Sequence, residues 1–298
     1  MAPRISLTMI VRDDEASLGR CLASVADLAD EIVIVDTGSA DRTREIAVAA
    51  RDRHGGPARV YDFAWIDDFS AARNESVRHA RGDWIFWMDG DDWLDEPNRQ
   101  ALGRLFAGLT AENAAYQMMH VSPEAADGGH PASAAPQDRL FRNLPAIRWE
   151  GRVHEQIALS ASRSGAVLKR TEIAILHSGY DDDFVRRGKI ARNLRLLELQ
   201  NSEQPNNPHT LFYLGMTYAM AERTADAIPC LYHSLELLPP RSPFRPRGHL
   251  LLADCWRVQG DERRAMVLCQ NALVLYPDDE GLREMLKELL AAAREPPS

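Results

Sequence analysis

The fold class this sequence predicts is an α/β domain built on a mostly parallel sheet, followed by an all-α helical domain. Three observations carry that prediction. Short apolar runs alternate with helical patterns through the first part of the chain. Carboxylates stand at the ends of three of those runs, at Asp13/Asp14, Asp36 and Asp89/Asp91. The last third repeats itself at an offset of 38 residues, Leu214 to Leu252 and Pro239 to Pro277.

The elements follow in order. "ISLTMIV" (5–11) reads as a buried strand, and 14–30 as a helix with Leu18, Cys21, Leu22 and Val25 on one face. "EIVIVD" (31–36) is a second strand. "TGSADRTREIAVAARDRH" (37–54) gives a Gly/Ser turn and then a helix. "ARVYDF" (58–63) reads as a third strand, "SAARNESVRHAR" (70–81) as a helix, and "DWIFWMD" (83–89) as a strand. Apolar runs without alternation fit a sheet covered on both faces, and such sheets bind ligands at the carboxyl ends of their strands. Residues 122–138, rich in Pro, Gly, Ala and Ser, read as a mobile loop. The segments 138–157 and 171–180 read as mixed strand and loop.

From 183 onward the pattern is helical, which sets the expected domains at 1–182 and 183–298. In the repeat, Leu214, Gly215, Tyr218, Ala227, Leu235 and Pro239 align with Leu252, Ala253, Trp256, Ala265, Leu273 and Pro277. Small residues at a helix crossing, an aromatic behind them and Pro after the second helix resemble the tetratricopeptide pattern. The insert 240–248 supplies the residues beyond that pattern's usual period. Two repeats are too few to stand alone, so they are expected to stack on the helix at 184–200 and on the first domain.

Composition narrows the function. The 298 residues are 45% hydrophobic and 27% charged, an ordinary globular balance. A net charge of −9 argues against a general nucleic-acid binder. Cys21, Cys230, Cys255 and Cys269 show no zinc-ligand spacing and read as free thiols of a cytoplasmic protein. No run reaches the length of a membrane span, and 5–11 is too short for a signal peptide's core.

The chemistry concentrates in three places. In "MDGDD" (88–92), Asp89 and Asp91 can face one hard divalent cation across a turn, with phosphate oxygens completing its shell. Asp92 and Asp95 are read as caps of the next helix or as water-facing. Asp36 either accepts hydrogen bonds from a ribose or base edge, or forms the turn before the next helix. Arg73 is either a diphosphate contact or a surface helix residue. In "RWEGRVHEQI" (148–157), Gly151 permits close approach to a ligand and Glu155 is a candidate general base beside His154. The alternative there is an edge strand. His177 ends the apolar run "AILH".

Taken in order, "SLTMIVRDDEASLGRCLASV", "DEIVIVDTGSADRT", "DDFSAARNESVRHARGDWIFWMDGDD", "RLFRN…IRWEGRVHEQI" and "ILHSGY" resemble bacterial family 2 glycosyltransferases of the GT-A fold, in the subgroup with C-terminal tetratricopeptide repeats. The resemblance spans roughly 4–280. It implies a nucleotide-sugar donor, foremost a UDP-sugar, Mn²⁺ or Mg²⁺, and inversion at the anomeric carbon. It makes Asp89-Gly90-Asp91 the DxD motif, with Asp91 the direct metal ligand, Asp89 nearer the ribose and His177 joining the metal shell. Asp36 takes the uridine-binding place, Arg73 the basic place beside the nucleotide, Gly151 the loop facing the donor sugar, and Glu155 the catalytic base. The family's Lys-Asn-Glu-Glu is here Arg12-Asp13-Asp14-Glu15, which puts the extra negative charge of Asp13 beside the nucleotide. The base segment reads His154-Glu155 where the family has Glu-Asp.

The implied partners are the donor and a peptide, protein or other acceptor cradled by the repeats, while the 122–138 loop closes over the donor. Self-association is compatible with this picture. The competing reading is a catalytically inactive, transferase-like scaffold whose repeats bind a protein partner.

Overall fold

The computed structural model describes residues 3–122, 133–177 and 183–293. The chain divides into two compact units, Met1–Asp181 and Asp182–Ser298.

The first unit is built on an eight-stranded mixed sheet. Four strands come first in the chain: β1 (Ile5–Val11), β2 (Glu31–Asp36), β3 (Arg59–Asp62) and β4 (Trp84–Trp87). The other four are β5 (Asp92–Trp93), β6 (Ala114–Ser122), β7 (Ser133–Arg142) and β8 (Val167–His177). Their order is β3-β2-β1-β4-β7-β6-β8-β5. The first half is parallel, with Val11 opposite Asp36 and Thr8 opposite Trp87. That register brings the carboxyl ends of β1, β2 and β4 to one edge. Beyond β4 the sheet turns largely antiparallel, and only β6 and β8 run parallel there.

Helices cover both faces, and β4 shows why its run lacks alternation. Trp84, Phe86 and Met88 face a core with Leu22, Leu102 and Phe106. Ile85 and Trp87 face a second core with Val77 and Trp149. The helices are α1 (Leu18–Val25), extended by one 3₁₀ turn, α2 (Thr43–Ala49), α3 (Phe69–His79), α4 (Glu96–Ala107) and α5 (Ala158–Arg163). Asp68 and Asp95 start α3 and α4, each accepting from a backbone N–H three residues on.

The expected loop at 122–138 is corrected: β6 runs to Ser122, and 133–138 belong to β7, paired from Ser133 opposite Ser122. Pro136 is tolerated because β4 pairs only with residues 140–142 of β7, so no ladder partner lies on its other side. The rest of that expected loop, with its closure over a donor, and Ser178–Tyr180 lie outside the described residues.

The second unit contains α6 (Asp183–Glu203), α7 (Pro208–Met220), α8 (Thr224–Leu237), α9 (Phe244–Val258), α10 (Glu262–Leu275) and α11 (Glu280–Ala292). The offset of 38 reappears in the helix ends. It carries Met220 to Val258, Thr224 to Glu262 and Leu237 to Leu275. Ala227 and Ala265 are equivalent and wholly buried. A Cβ on Gly215 would sit 2.6 Å from Leu231 Cγ, so the crossing demands a residue without one. The insert is split, part connection and part first turn of α9. Among the described residues no helix is long and apolar enough to cross a membrane.

Candidate active site

The run from β4 into β5 turns tightly at residues 89–92. Asp89 N–H donates to Asp92 Oδ2 at 2.9 Å, and Asp92 N–H donates to Asp89 carbonyl at 3.2 Å. Cys21 Sγ, buried under the turn, lies 3.3 Å from the same carbonyl. Gly90 is pressed against Asp14: a Cβ there would meet Asp14 Oδ2 at 2.6 Å.

One side of this turn is held by α3. Arg73 Nη2 donates to Asp89 Oδ1 at 2.7 Å, and its Nε donates to Glu155 Oε1 at 2.6 Å. The guanidinium lies 4.2 Å from the Trp87 ring centroid and 4.9 Å from that of Trp149. Burial works against its charge, but Asp89 and Glu155 more than offset this and hold it above its usual range. Burial pushes Glu155 up, and Arg73 offsets only part of that.

Glu155 sits in a loop closed by reciprocal backbone hydrogen bonds between Glu150 and Gln156, each 3.0 Å. Inside it, Gly151 (φ 101°) and His154 (φ 53°) take left-handed backbone. Asn74, next to Arg73, brackets Trp149: its amide accepts from Trp149 N–H at 2.9 Å and donates to Trp149 carbonyl at 3.0 Å. The edge-strand alternative for this segment gives way to a loop seated on buried Trp149 and Val153.

The other side corrects the expectation for Asp92. It neither caps a helix nor faces water, a role left to Asp95 at α4. Its side chain is wholly buried and paired to Arg139 Nη1 at 2.6 Å, and Arg139 is itself wholly buried over Trp87 at 3.9 Å. Asp92 Oδ1 faces His177 Nδ1 at 3.1 Å and His120 Nε2 at 3.3 Å. His177 Nδ1 is also 3.4 Å from Asp91 Oδ1. Burial pulls His177 down, but Asp92 and Asp91 outweigh it, so the ring is held above its usual value.

Asp36 and Asp13 belong to a neighbouring turn. Asp36 Oδ1 accepts from the N–H groups of Gly38 and Ser39 and from Ser39 Oγ, at 3.0, 2.8 and 2.9 Å. Asp13 Oδ1 accepts from Ala40 N–H at 2.8 Å. Each thus spends one oxygen on the turn, and Asp36 Oδ2 looks toward Arg44 at 4.0 Å.

The chain therefore brings Asp89, Arg73 and Glu155 together, and Asp91 with His177. Asp13 and the β2-ending Asp36 meet the turn at Gly38–Ala40, and Gly151 lies in the Glu150–Gln156 loop. Sequence reasoning passed over Asn74, Asp92, His120 and Arg139 as site residues. Two signals were available: His120 interrupts the apolar end of β6 between Met119 and Val121, and Arg139 interrupts the buried end of β7. The donor set fits a divalent cation. Asp92, His120 and His177 present ligand atoms within 4.8 Å of one another, and nearby Asp14 is raised to about 6, mainly by burial with the charges of Asp91 and Asp89 adding to it.

Residues 6–156 match the family model described as glycosyl transferase family 2. A TPR repeat-containing protein of Synechococcus elongatus is 36% identical over 289 residues, covering 91% of this chain and 66% of that protein. The SPbeta prophage-derived glycosyltransferase SunS of Bacillus subtilis is 27% identical over 235 residues, covering 78% of this chain and 53% of that protein. The chain thus spans between about half and two thirds of the length of these relatives. Among solved structures, S. aureus TarS 1-349 aligns at 12% identity with a TM-score of 0.49, over 97% of this chain and 92% of that one.

Proposed function

The chain belongs to glycosyl transferase family 2, and we propose that it moves a sugar from a nucleoside-diphosphate donor, foremost a UDP-sugar, to an acceptor with inversion. The observation that carries this reading is the arrangement of Arg73, which bridges Asp89 and Glu155 at the carboxyl ends of parallel strands. Asp91 and His177 would hold a divalent cation, with Asp89 toward the ribose. Such a cation, Mn²⁺ or Mg²⁺, supplies positive charge to the diphosphate as it leaves.

The chain's own residues account for the rest. Arg73 lies beside the place of the diphosphate and is fixed by two acids and two indoles, so it needs no reorganisation as charge develops. Glu155 takes the acceptor's proton, and burial makes it the stronger base. The acceptor atom then attacks the anomeric carbon, the bond to the diphosphate oxygen breaks, and its electron pair leaves with that oxygen. One displacement inverts the carbon. Gly151 lets the backbone approach the donor sugar. Asp36 and Asp13, each with an oxygen beyond its turn contacts, face the nucleoside. The helical repeats serve as the acceptor module, for a peptide, a protein or another acceptor.

The test is UDP release from UDP-sugars by the full chain, alone and with peptide mixtures. Asp91→Asn and Glu155→Gln are each expected to lose about 10²–10⁴-fold. Release that persists unchanged in both variants overturns the reading. Donor binding with no turnover in the parent chain favours the inactive scaffold.

A further inference from the structure

Residues 148–150 lead into the loop that carries Glu155 and lie outside the eight strands, so their backbone groups are answered one residue at a time. Arg148 N–H donates to Ser160 Oγ at 3.0 Å, and Ser160 Oγ donates to Arg148 carbonyl at 2.6 Å. Trp149 N–H donates to Asn74 Oδ1 at 2.9 Å, and Asn74 Nδ2 donates to Trp149 carbonyl at 3.0 Å. Glu150 exchanges both backbone bonds with Gln156, each at 3.0 Å. Three consecutive residues thus turn to α5, to α3 and to the loop's own far end.

We propose that Asn74 is a positioning residue for Glu155: it sets the place at which the 150–156 loop seats on α3, and so where the acid meets Arg73. This rests on the reading of Glu155 as the base of the transfer. Asn74 acts through Trp149. Only a primary amide offers a donor and an acceptor side by side at this reach, so one side chain fixes both backbone groups of Trp149. Asn74 directly follows Arg73, whose guanidinium lies 4.9 Å from the Trp149 ring and donates to Glu155 at 2.6 Å. Two consecutive residues of one helix therefore hold the ring and backbone of Trp149 and the carboxylate of Glu155. A shift of Trp149 passes to Glu155 through the Glu150–Gln156 pair and one peptide bond. The start of α3 holds the middle of the same loop: Phe69 N–H donates to Arg152 carbonyl at 2.8 Å, and Arg152 Nη1 donates to Asp67 carbonyl at 3.0 Å. Those contacts leave the root of the loop to Asn74 and Ser160. A displacement of about 1 Å at a reacting group is enough to cost about 100-fold in rate.

The experiment measures UDP release by the full chain from the UDP-sugar it turns over, in a cycle of parent, Asn74→Ala, Glu155→Gln and the double variant. Asn74→Ala is expected to lower kcat about 10–100-fold while the donor KM stays within about threefold. In the Glu155→Gln background the same change should cost less than about threefold, because the group it positions is gone. A residue that only stabilises the fold would multiply the two losses. Asn74→Asp still accepts from Trp149 N–H and has no donor for its carbonyl; it replaces Asn74→Ala, with the same expected pattern, where that variant fails to fold. Amide hydrogen exchange supplies a readout free of activity: it should quicken over residues 149–156 in the variant and stay at the parent's rate over β4 and α4. Unchanged kcat in a folded variant, losses that multiply, or unchanged exchange over 149–156 overturns the proposal. A parent without turnover, or turnover that survives Glu155→Gln, removes the reading of Glu155 as base instead, and exchange then decides the seating: quickened exchange supports it and unchanged exchange overturns it.

Discussion

Trp87 carries an arginine on each side, and the two pairs they form differ. Arg73 and Arg139 lie 4.2 and 3.9 Å from the same ring, and each holds an acid of the turn that follows β4. Arg139 and Asp92 are both 0% exposed, a dry pair fixed in the sheet. Arg73 is 8% exposed, but its partner Asp89 is 34% exposed, and Glu155 comes from a loop with left-handed backbone. The same Arg–Asp chemistry is thus a dry pair locked in the sheet on one side and a pair open to solvent at its acid on the other. Burial of the acid, more than of the arginine, separates the roles.

The contrast breaks most visibly at Arg139. Arg139→Met leaves Asp92 buried without its charge partner and should cost about 3–5 kcal/mol by denaturant unfolding. Arg73→Met should cost less stability, since Asp89 can hydrate and Glu155, already pushed up, can take a proton. Its turnover should fall about 10²–10³-fold, roughly 2.7–4 kcal/mol of barrier. Equal stability losses in the two variants would erase the distinction.

Two smaller changes probe the turn itself. Gly90→Ala should destabilise by about 1–3 kcal/mol, because its Cβ would come 2.6 Å from Asp14 Oδ2. Asp14, raised to about 6, bears an ionisation cost that builds as pH rises from its ordinary value through 6 and is complete above it. Asp14→Asn should therefore stabilise the metal-free chain by about 1 kcal/mol at neutral pH and by nothing near pH 4. Melting temperatures across that range check the sign.

The same contrast explains what could be read beforehand. Asp89, Asp91 and His177 stand at strand ends, and Arg73 and Glu155 fall within the motifs that carry the resemblance, so they stood out. Asp92 did not, because its meaning lies in Arg139, 47 residues away on a strand whose Pro and Ala look like loop. His120 was hidden for the same reason: only the β6–β8–β5 pairing brings it to His177. The parallel half of the sheet was legible since both its faces are apolar. The antiparallel half was not, because its strands are partly exposed and lack a clean period. The repeats were legible because small residues at helix crossings leave a period that does not depend on the first unit.

The central claim is that the turn after β4 binds a nucleoside diphosphate through a metal on Asp91. Calorimetric titration of UDP into the full chain, with and without Mn²⁺, tests it most directly. UDP should bind with Mn²⁺, not detectably after chelation, and not to Asp91→Asn. UDP binding of equal affinity in the chelated chain and in Asp91→Asn would contradict it.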